Sequence, residues 1–321
     1  MVCLYVTSPD EAGGKTALCA GIGQYLLENG RSVGYLKPTA NGMSPDVPFM
    51  KHILALETSE DVLCPSPGKI KEAYALVAEG KGVVLVEGAT GDADSGLLDA
   101  LDARVMVVIG YATDLPVAAI VDNGKKYGKR LLGVVVNKVP QKRLELVGEQ
   151  LSAQLAEAGI AYLGSLPESR ALSGLTVSEL SEHLQGELLN APEKPVELVE
   201  NIMLGAMVVG SGVDYFERKT NKAAVIRGER PDMQLAALET STRCLVSTGM
   251  ADPSEVVMHR AEEKEVPVII ARESTGAVVE AMEAAMNQAR FRQEKKLPII
   301  TGMIKEALDV KALSQGLGLA G

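Results

Sequence analysis

The chain has 321 residues, 46% hydrophobic and 23% charged, which is enough for two domains with substantial cores. A formal net charge of −10 argues against a nucleic-acid or anionic-membrane binder, since both need clustered Lys and Arg. Cys3, Cys19, Cys64 and Cys244 follow no C-x-x-C spacing and read as small buried hydrophobes in a reducing compartment; no charged n-region with an apolar core opens the sequence and no apolar run reaches bilayer length, so a cytoplasmic protein is expected.

Residues 2–7, Val-Cys-Leu-Tyr-Val-Thr, read as a buried strand. It breaks at Pro9 and passes through Asp10-Glu11-Ala12-Gly13-Gly14-Lys15-Thr16 into a helical run over 17–28. Strand, glycine loop, Lys-Thr and helix are the parts of a phosphate-binding loop. Glycines leave backbone N–H groups free for phosphate oxygens, and the helix N-terminus adds partial positive charge. Lys15 then reaches the outer phosphates and the Thr16 hydroxyl ligates Mg²⁺. Pro9 stands where G-x-x-x-x-G-K-[ST] has glycine, so an ordinary strand-to-helix turn is the competing reading.

A second strand over 32–36 ends at Lys37-Pro38, followed by helices over 48–56 and 70–79 and a loop over 64–68. Residues 82–86 form a near-continuous apolar strand ending in Glu87-Gly88. Strands follow at 104–109, 131–136 and 161–163, with helices near 115–127 and 144–158. Such alternation predicts a mostly parallel sheet covered on both faces, whose ligands bind beyond the strands' carboxyl ends. Lys15, Lys37, Glu87 and Asn137 each fall at such an end. Residues 185–195 lose periodicity and read as a linker. Beyond it, strands at 201–208, 223–226, 244–247 and 266–271 alternate with helices ending at 216 and over 231–239, 253–264 and 278–289. One more helix and a frayed glycine-rich end close the chain.

Several residues carry two readings. Glu87 is either a Walker-B acid for Mg²⁺ or a solvated strand-end carboxylate. Lys37 either neutralises charge on a phosphoryl group or sits in water. Asp46 is either a further Mg²⁺ carboxylate or the N-cap of the next helix. Asn137 either pairs with a base edge or makes a turn. In the second half, Arg227-Gly228-Glu229-Arg230-Pro231-Asp232 lies at a strand-to-helix corner that either holds an anion or is a structural ion-pair network. A second corner around Thr248-Gly249 has the same topology. His52, His183 and His259 are read as surface helix residues, and no nucleophilic triad or zinc motif is present.

Residues 1 to about 185 resemble the dethiobiotin-synthetase-like P-loop family. The marks are Asp10-Glu11…Gly14-Lys15-Thr16, Leu36-Lys37-Pro38, Val86-Glu87-Gly88, Asn137-Lys138 and Leu166-Pro167-Glu168. Residues from about 197 to 310 resemble a DRTGG domain, through Leu204-Gly205-Ala206-Met207, Gly228-Glu229-Arg230-Pro231-Asp232 and residues 234–241. In that order the pair is similar to the N-terminal half of long phosphotransacetylases. The resemblance implies an α/β P-loop parallel sheet with helices on both faces over 1–188, and a smaller α/β DRTGG-like domain over 197–321.

It further implies that Lys15 and Lys37 are catalytic and that Thr16, Asp46 and Glu87 hold Mg²⁺. Asp10, Glu11, Gly13, Gly14, Lys15, Thr16 and Ala17 would surround ATP or another purine nucleotide, and Asn137 would meet the adenine. Arg227, Gly228, Glu229, Arg230, Asp232, Thr248 and Gly249 would form the second domain's site for a small anionic metabolite. Ser8-Pro9 replaces Gly-Thr of the family pattern, and Glu229 replaces Asp. The expected function is a nucleotide-binding regulatory or ligand-sensing protein, a homodimer with no nucleic-acid or membrane partner. The alternative is an ATP-dependent ligase of the dethiobiotin synthetase or cobyrinic acid a,c-diamide synthase type. The acetyltransferase domain of phosphotransacetylase should follow residue 321, so acetyl-phosphate synthesis is not expected of this polypeptide alone.

Overall fold

The computed structural model describes residues 1–10, 13–91, 93–113, 117–190, 197–206 and 211–319. Two compact units emerge, Met1–Ser169 with Phe291–Gly321, and Arg170–Arg290. In the first unit the order is β1 (Val2–Ser8), α1 (Lys15–Glu28), β2 (Val33–Leu36), α2 (Val47–Ile53), α3 (Glu60–Leu63), α4 (Ile70–Ala78) and β3 (Val83–Thr90). It continues through α5 (Ser95–Ala100), β4 (Ala103–Gly110), α6 (Val117–Lys125), β5 (Leu131–Val139), α7 (Leu144–Glu157) and β6 (Tyr162–Pro167).

The strands lie in the order β2-β3-β1-β4-β5-β6, and all of these pairings are parallel. Parallel neighbours need crossover connections, and the helices that supply them bury both sheet faces. β1 therefore reads as an unbroken apolar run rather than an alternation, with Cys3, Leu4 and Val6 fully buried. Its position between β3 and β4 puts the loop after Ser8 in the middle of the sheet's carboxyl edge.

The second unit holds α8 (Arg170–Ser173), β7 (Leu175–Thr176), α9 (Val177–His183), β8 (Glu187–Leu188), β9 (Leu198–Val199), β10 (Asn201–Leu204), α10 (Gly212–Phe216) and β11 (Lys222–Arg227). α11 (Pro231–Leu238), β12 (Thr242–Thr248), α12 (Glu255–Glu263), β13 (Val268–Ala271) and α13 (Thr275–Asn287) complete it. Its main sheet runs β10-β11-β12-β13-β8, parallel except for β8, while β7 and β9 form a separate pair. α10, α11 and α12 pack Phe216, Met233, Ala237, Val257 and Ala261 against Ala224, Ile226 and Leu245 of the sheet.

Both expected boundaries move. Residues 170–188 belong to the second unit, because Leu175, Val177 and Leu180 share a core with Val225, Val246 and Met282. Part of the expected linker is structured: β8 pairs with β13, and the Asn190 side chain donates to Val266 O at 3.0 Å and accepts from the Val268 N–H at 2.7 Å. Residues 191–196, and 207–208 of the expected strand over 201–208, lie outside the described residues.

The chain from Phe291 on rejoins the first unit, as α14 (Leu297–Ala307) and α15 (Val310–Gly316). α14 lies on α1, where a side chain at Gly21 would place its Cβ 2.5 Å from Ile304 Cδ1. At Gly164 (φ +127°) the approach is closer still, a Cβ standing 2.2 Å from the Ala307 carbonyl oxygen, and Asp309 N–H donates to Leu163 O at 2.8 Å. The tail is not frayed: Leu317 is buried, and Arg31 Nη2 donates to Leu319 O at 2.7 Å.

Candidate functional site

The turn after β1 closes through its own backbone. Ser8 Oγ donates to Asp10 O at 2.8 Å, and Gly13 N–H donates to the same oxygen at 3.3 Å. Gly14 takes a left-handed conformation (φ +85°) at the N-cap of α1, which glycine adopts without the steric cost a side chain would add. Gly13 is packed against Ser8, where a Cβ would come 2.2 Å from Oγ. The glycine pair is therefore required by local geometry, as a phosphate-binding loop demands. Lys15 and Thr16 open α1, and Ala17 follows in its first turn, half-buried. Asp10 is exposed, and Glu11 lies outside the described residues.

Asn137 arrives at the end of β5 with both ends of its amide engaged. Nδ2 donates to Gly13 O at 2.9 Å, and Oδ1 accepts from the Lys138 N–H at 2.9 Å. The amide braces the loop from the neighbouring strand, and a Cβ on Gly14 would stand 2.2 Å from Nδ2.

On the other side of the loop, four predicted residues meet. Lys37 Nζ lies 2.6 Å from Glu87 Oε1, 2.6 Å from Asp46 Oδ2 and 3.3 Å from Thr16 Oγ1. Thr16 Oγ1 also donates to Glu87 Oε1 at 2.7 Å. Lys37 follows β2, Glu87 lies within β3 and Asp46 immediately precedes α2, so three elements converge. Asp46 stands at the N-cap position of its helix, but its side chain makes no cap hydrogen bond and goes to Lys37 and Arg292 instead. Glu87 is 2% exposed, which removes the solvated reading. Lys15, 8% exposed, donates from Nζ to Thr90 Oγ1 at 3.2 Å, at the end of the strand that carries Glu87.

The electrostatics follow from this crowding. Burial pulls the Lys37 amine down, but the Glu87 and Asp46 carboxylates outweigh it and hold the group above the ordinary lysine range. Burial pushes Asp46 up, and hydrogen bonds from Lys37 and Arg292 overcome it and hold the carboxyl below its ordinary value. Tyr35 donates to Glu87 Oε2 at 2.7 Å, and burial beside that carboxylate raises its phenol well above the usual range. Thr16 Oγ1, Asp46 Oδ2 and Glu87 Oε1 are hard oxygens gathered around one cationic head, the donor chemistry that suits Mg²⁺. Among the described residues no group of three or more His, Cys, Asp or Glu forms a separate metal cluster.

Sequence reading missed three participants: Tyr35, Thr90 and Arg292. Arg292 Nε donates to Asp46 Oδ1 at 2.7 Å from a segment 246 residues away. Tyr35 carried the one available signal, since it precedes Lys37 by two and faces the same side of β2.

In the second unit the two corners pack together, as Gly228 N–H donates to Thr248 O at 3.0 Å and a Cβ there would stand 1.9 Å from Ala251 O. Gly249 (φ +88°) donates its N–H to Glu273 O at 3.1 Å, and the Thr248 and Thr275 hydroxyls lie 2.7 Å apart. Arg230 forks onto Asp232, Nη2 to Oδ2 at 2.8 Å and Nε to Oδ1 at 3.0 Å. Arg227, exposed, and Arg230 line a cavity of about 250 Å³ with Leu204, Gly205, Val225 and Thr275. Glu229 is exposed. The buried Gln234 donates to Arg227 O, while its Oε1 has no hydrogen-bond partner. The cysteines are all buried with free thiols, and His52 and His259 are exposed on helices, as expected. Among the described residues no helix is long and apolar enough to cross a membrane.

The DRTGG domain family matches residues 179–285, starting before the expected 197 and stopping short of 310, inside the second unit. A phosphate acetyltransferase of Nitrosomonas europaea is 24% identical over 279 residues, which cover 74% of this chain and 39% of that protein. The chain thus spans about two fifths of that relative's length. An ATP-dependent dethiobiotin synthetase of Methanococcus vannielii is 30% identical over 164 residues, covering 42% of this chain and 78% of the synthetase. Among solved structures, the MinC–MinD cell division protein complex of Aquifex aeolicus aligns over 54% of this chain and 84% of its own, at 19% identity and a TM-score of 0.38.

Proposed function

The chain belongs to the dethiobiotin synthetase family of P-loop proteins and carries a DRTGG domain, and from that premise we propose that it is a nucleotide-binding regulatory or ligand-sensing protein. The observation that carries this reading is the meeting of Thr16, Lys37, Asp46 and Glu87 beside the glycine loop. Lys15 and the amides of residues 13–17 supply the remaining positive character that polyphosphate needs. Thr16, Asp46 and Glu87 would hold Mg²⁺, which when bound offsets phosphate charge. Lys37 would then turn its amine from the carboxylates to the anion. Asn137 keeps the loop in shape from below.

In the second unit, Arg227 and Arg230 at the cavity favour a small anionic metabolite, with Gly228, Glu229, Asp232, Thr248 and Gly249 shaping the corners. A cytoplasmic homodimer completes the proposal. Calorimetric titration of ATP, ADP and GTP with and without Mg²⁺ tests it, followed by a thermal-shift screen of anionic metabolites, since a ligand of the native state alone raises the melting temperature. Mg·ATP binding that Lys15→Ala abolishes is the expected result; absence of binding by every purine nucleotide overturns it.

A second reading, an ATP-dependent ligase, is favoured by one specific feature: Lys37 keeps both carboxylate partners, and Lys15 lies at the same sheet edge. Steady ADP release in the presence of a carboxylate or amine substrate, lost in Lys15→Ala and Glu87→Ala, would establish it over the first.

A further inference from the structure

Where the chain re-enters the first unit, the first two residues it brings back touch the segment that carries Asp46. The Phe291 ring meets Phe49 edge to face, with centroids 5.8 Å apart, and Arg292 Nε reaches Asp46 Oδ1 at 2.7 Å. Asp46 and Phe49 bracket the first turn of α2, so this pair of contacts grips one short stretch of backbone. The two oxygens of Asp46 thereby serve different cations, Oδ1 facing Arg292 and Oδ2 facing Lys37. A carboxylate held at both oxygens cannot rotate without giving up a charge-assisted hydrogen bond. Arg292 Nη2 is buried with no hydrogen-bond partner, so the guanidinium tolerates an unsatisfied donor to keep its hold on Asp46.

We propose that Arg292 is a positioning residue of the nucleotide site, fixing Asp46 so that its Oδ2 stays directed at the cation position now taken by Lys37. Lys37 alone would leave Asp46 free to swing with the loop over 39–45. Arg292 supplies the second anchor, and Phe291 ties the same segment to α2 through Phe49. The inference rests on the nucleotide reading only for its Mg²⁺ readout, and its geometric part stands without it.

The test uses the full chain as wild type, Arg292→Met, which keeps the apolar stem, and Arg292→Lys. Amide hydrogen exchange is followed at Val47 and Met50, whose N–H groups donate to Ser44 O and Asp46 O. Arg292→Met should speed exchange there by about tenfold and leave the β1 and β4 amides unchanged, with Arg292→Lys between. In parallel, the Mg²⁺ concentration giving half-maximal ADP binding should rise several-fold in Arg292→Met, while ADP binding in chelator stays as in wild type. Unchanged exchange at Val47 and Met50 overturns the proposal, and so does faster exchange throughout the first unit, which would mark a purely structural contact. Local exchange that responds in a wild type binding no Mg²⁺–nucleotide would keep Arg292 as the anchor of Asp46 and remove the nucleotide reading instead.

Discussion

Lys37 Nζ and Glu87 Oε1 face each other at 2.6 Å, and the other Glu87 oxygen takes the Tyr35 hydroxyl at 2.7 Å, so this buried carboxylate has hydrogen-bond partners on both sides. Removing Glu87 alone leaves the buried Tyr35 hydroxyl without its acceptor and Lys37 with Asp46 as its remaining carboxylate, whereas replacing both members of the pair by apolar groups is far milder. Glu87→Ala should therefore destabilise the first unit by about 3–5 kcal/mol in urea unfolding. Lys37→Met with Glu87→Leu should recover most of that loss. Equal destabilisation by the single and double changes would contradict the pairing.

Asp46 sets the acid limit of the same cluster. Its folded carboxyl titrates below its ordinary value, so its stabilisation is complete above about pH 4 and is lost as pH falls through the lower folded value. The stability gap between wild type and Asp46→Asn should be flat at neutral pH and shrink on acidification below that point. Lys37 behaves oppositely: held above the ordinary lysine value, its contribution is lost only as pH rises past that range. Denaturation curves of both proteins across pH check the sign.

Most of this cluster was legible in the sequence, because Lys15, Thr16, Lys37 and Glu87 each close or follow a strand or open the first helix, and a parallel sheet gathers such positions at one edge. What hid was long-range. Arg292 lies in a charged run, Arg290 to Lys296, that looks like any solvated stretch, and nothing in its periodicity points to Asp46. The boundary near 170 hid for a different reason. Thr176 and Glu179 form a capping box opening α9, a signal readable in T-x-x-E, but short elements of two to seven residues give too little periodicity to assign them to a core. Asn137 falls at the sheet edge as expected, but its bond to Gly13 O is not readable from strand pattern, since the side-chain direction depends on the loop's path.

Gly14→Ala tests whether the loop geometry is obligatory. Its left-handed backbone alone should cost about 1–2 kcal/mol with a side chain present, and the added Cβ must displace the Asn137 amide. Thermal unfolding should register the loss. Asn137→Ala should leave the global melting temperature closer to wild type while raising hydrogen exchange at Gly13 and Leu18.

Lys222 offers an independent test in the second unit. It is fully buried, its Nζ donates to Ser241 O at 2.9 Å, and burial pulls its amine down to about 8, only partly offset by Glu217. An unfolded lysine keeps its proton to about pH 10.4, so between about 8 and that value the unfolded chain binds more protons and folding gains with rising pH. The stability of Lys222→Met relative to wild type should accordingly fall across that interval and stay constant below it. A difference independent of pH would show that the buried amine carries no such penalty.

The return of the chain at Phe291 has a consequence for biogenesis. A ribosome delivers the six sheet strands of the first unit early, but α14 emerges only after all of Arg170–Arg290 has been translated. At typical elongation rates that is an interval of roughly ten seconds. Throughout it the nascent sheet lacks the helix that covers Gly21 and meets Gly164, and Arg292 has not yet been made. The nascent polypeptide must therefore shield that apolar flank, alone or with a chaperone, before its cation cluster can be completed.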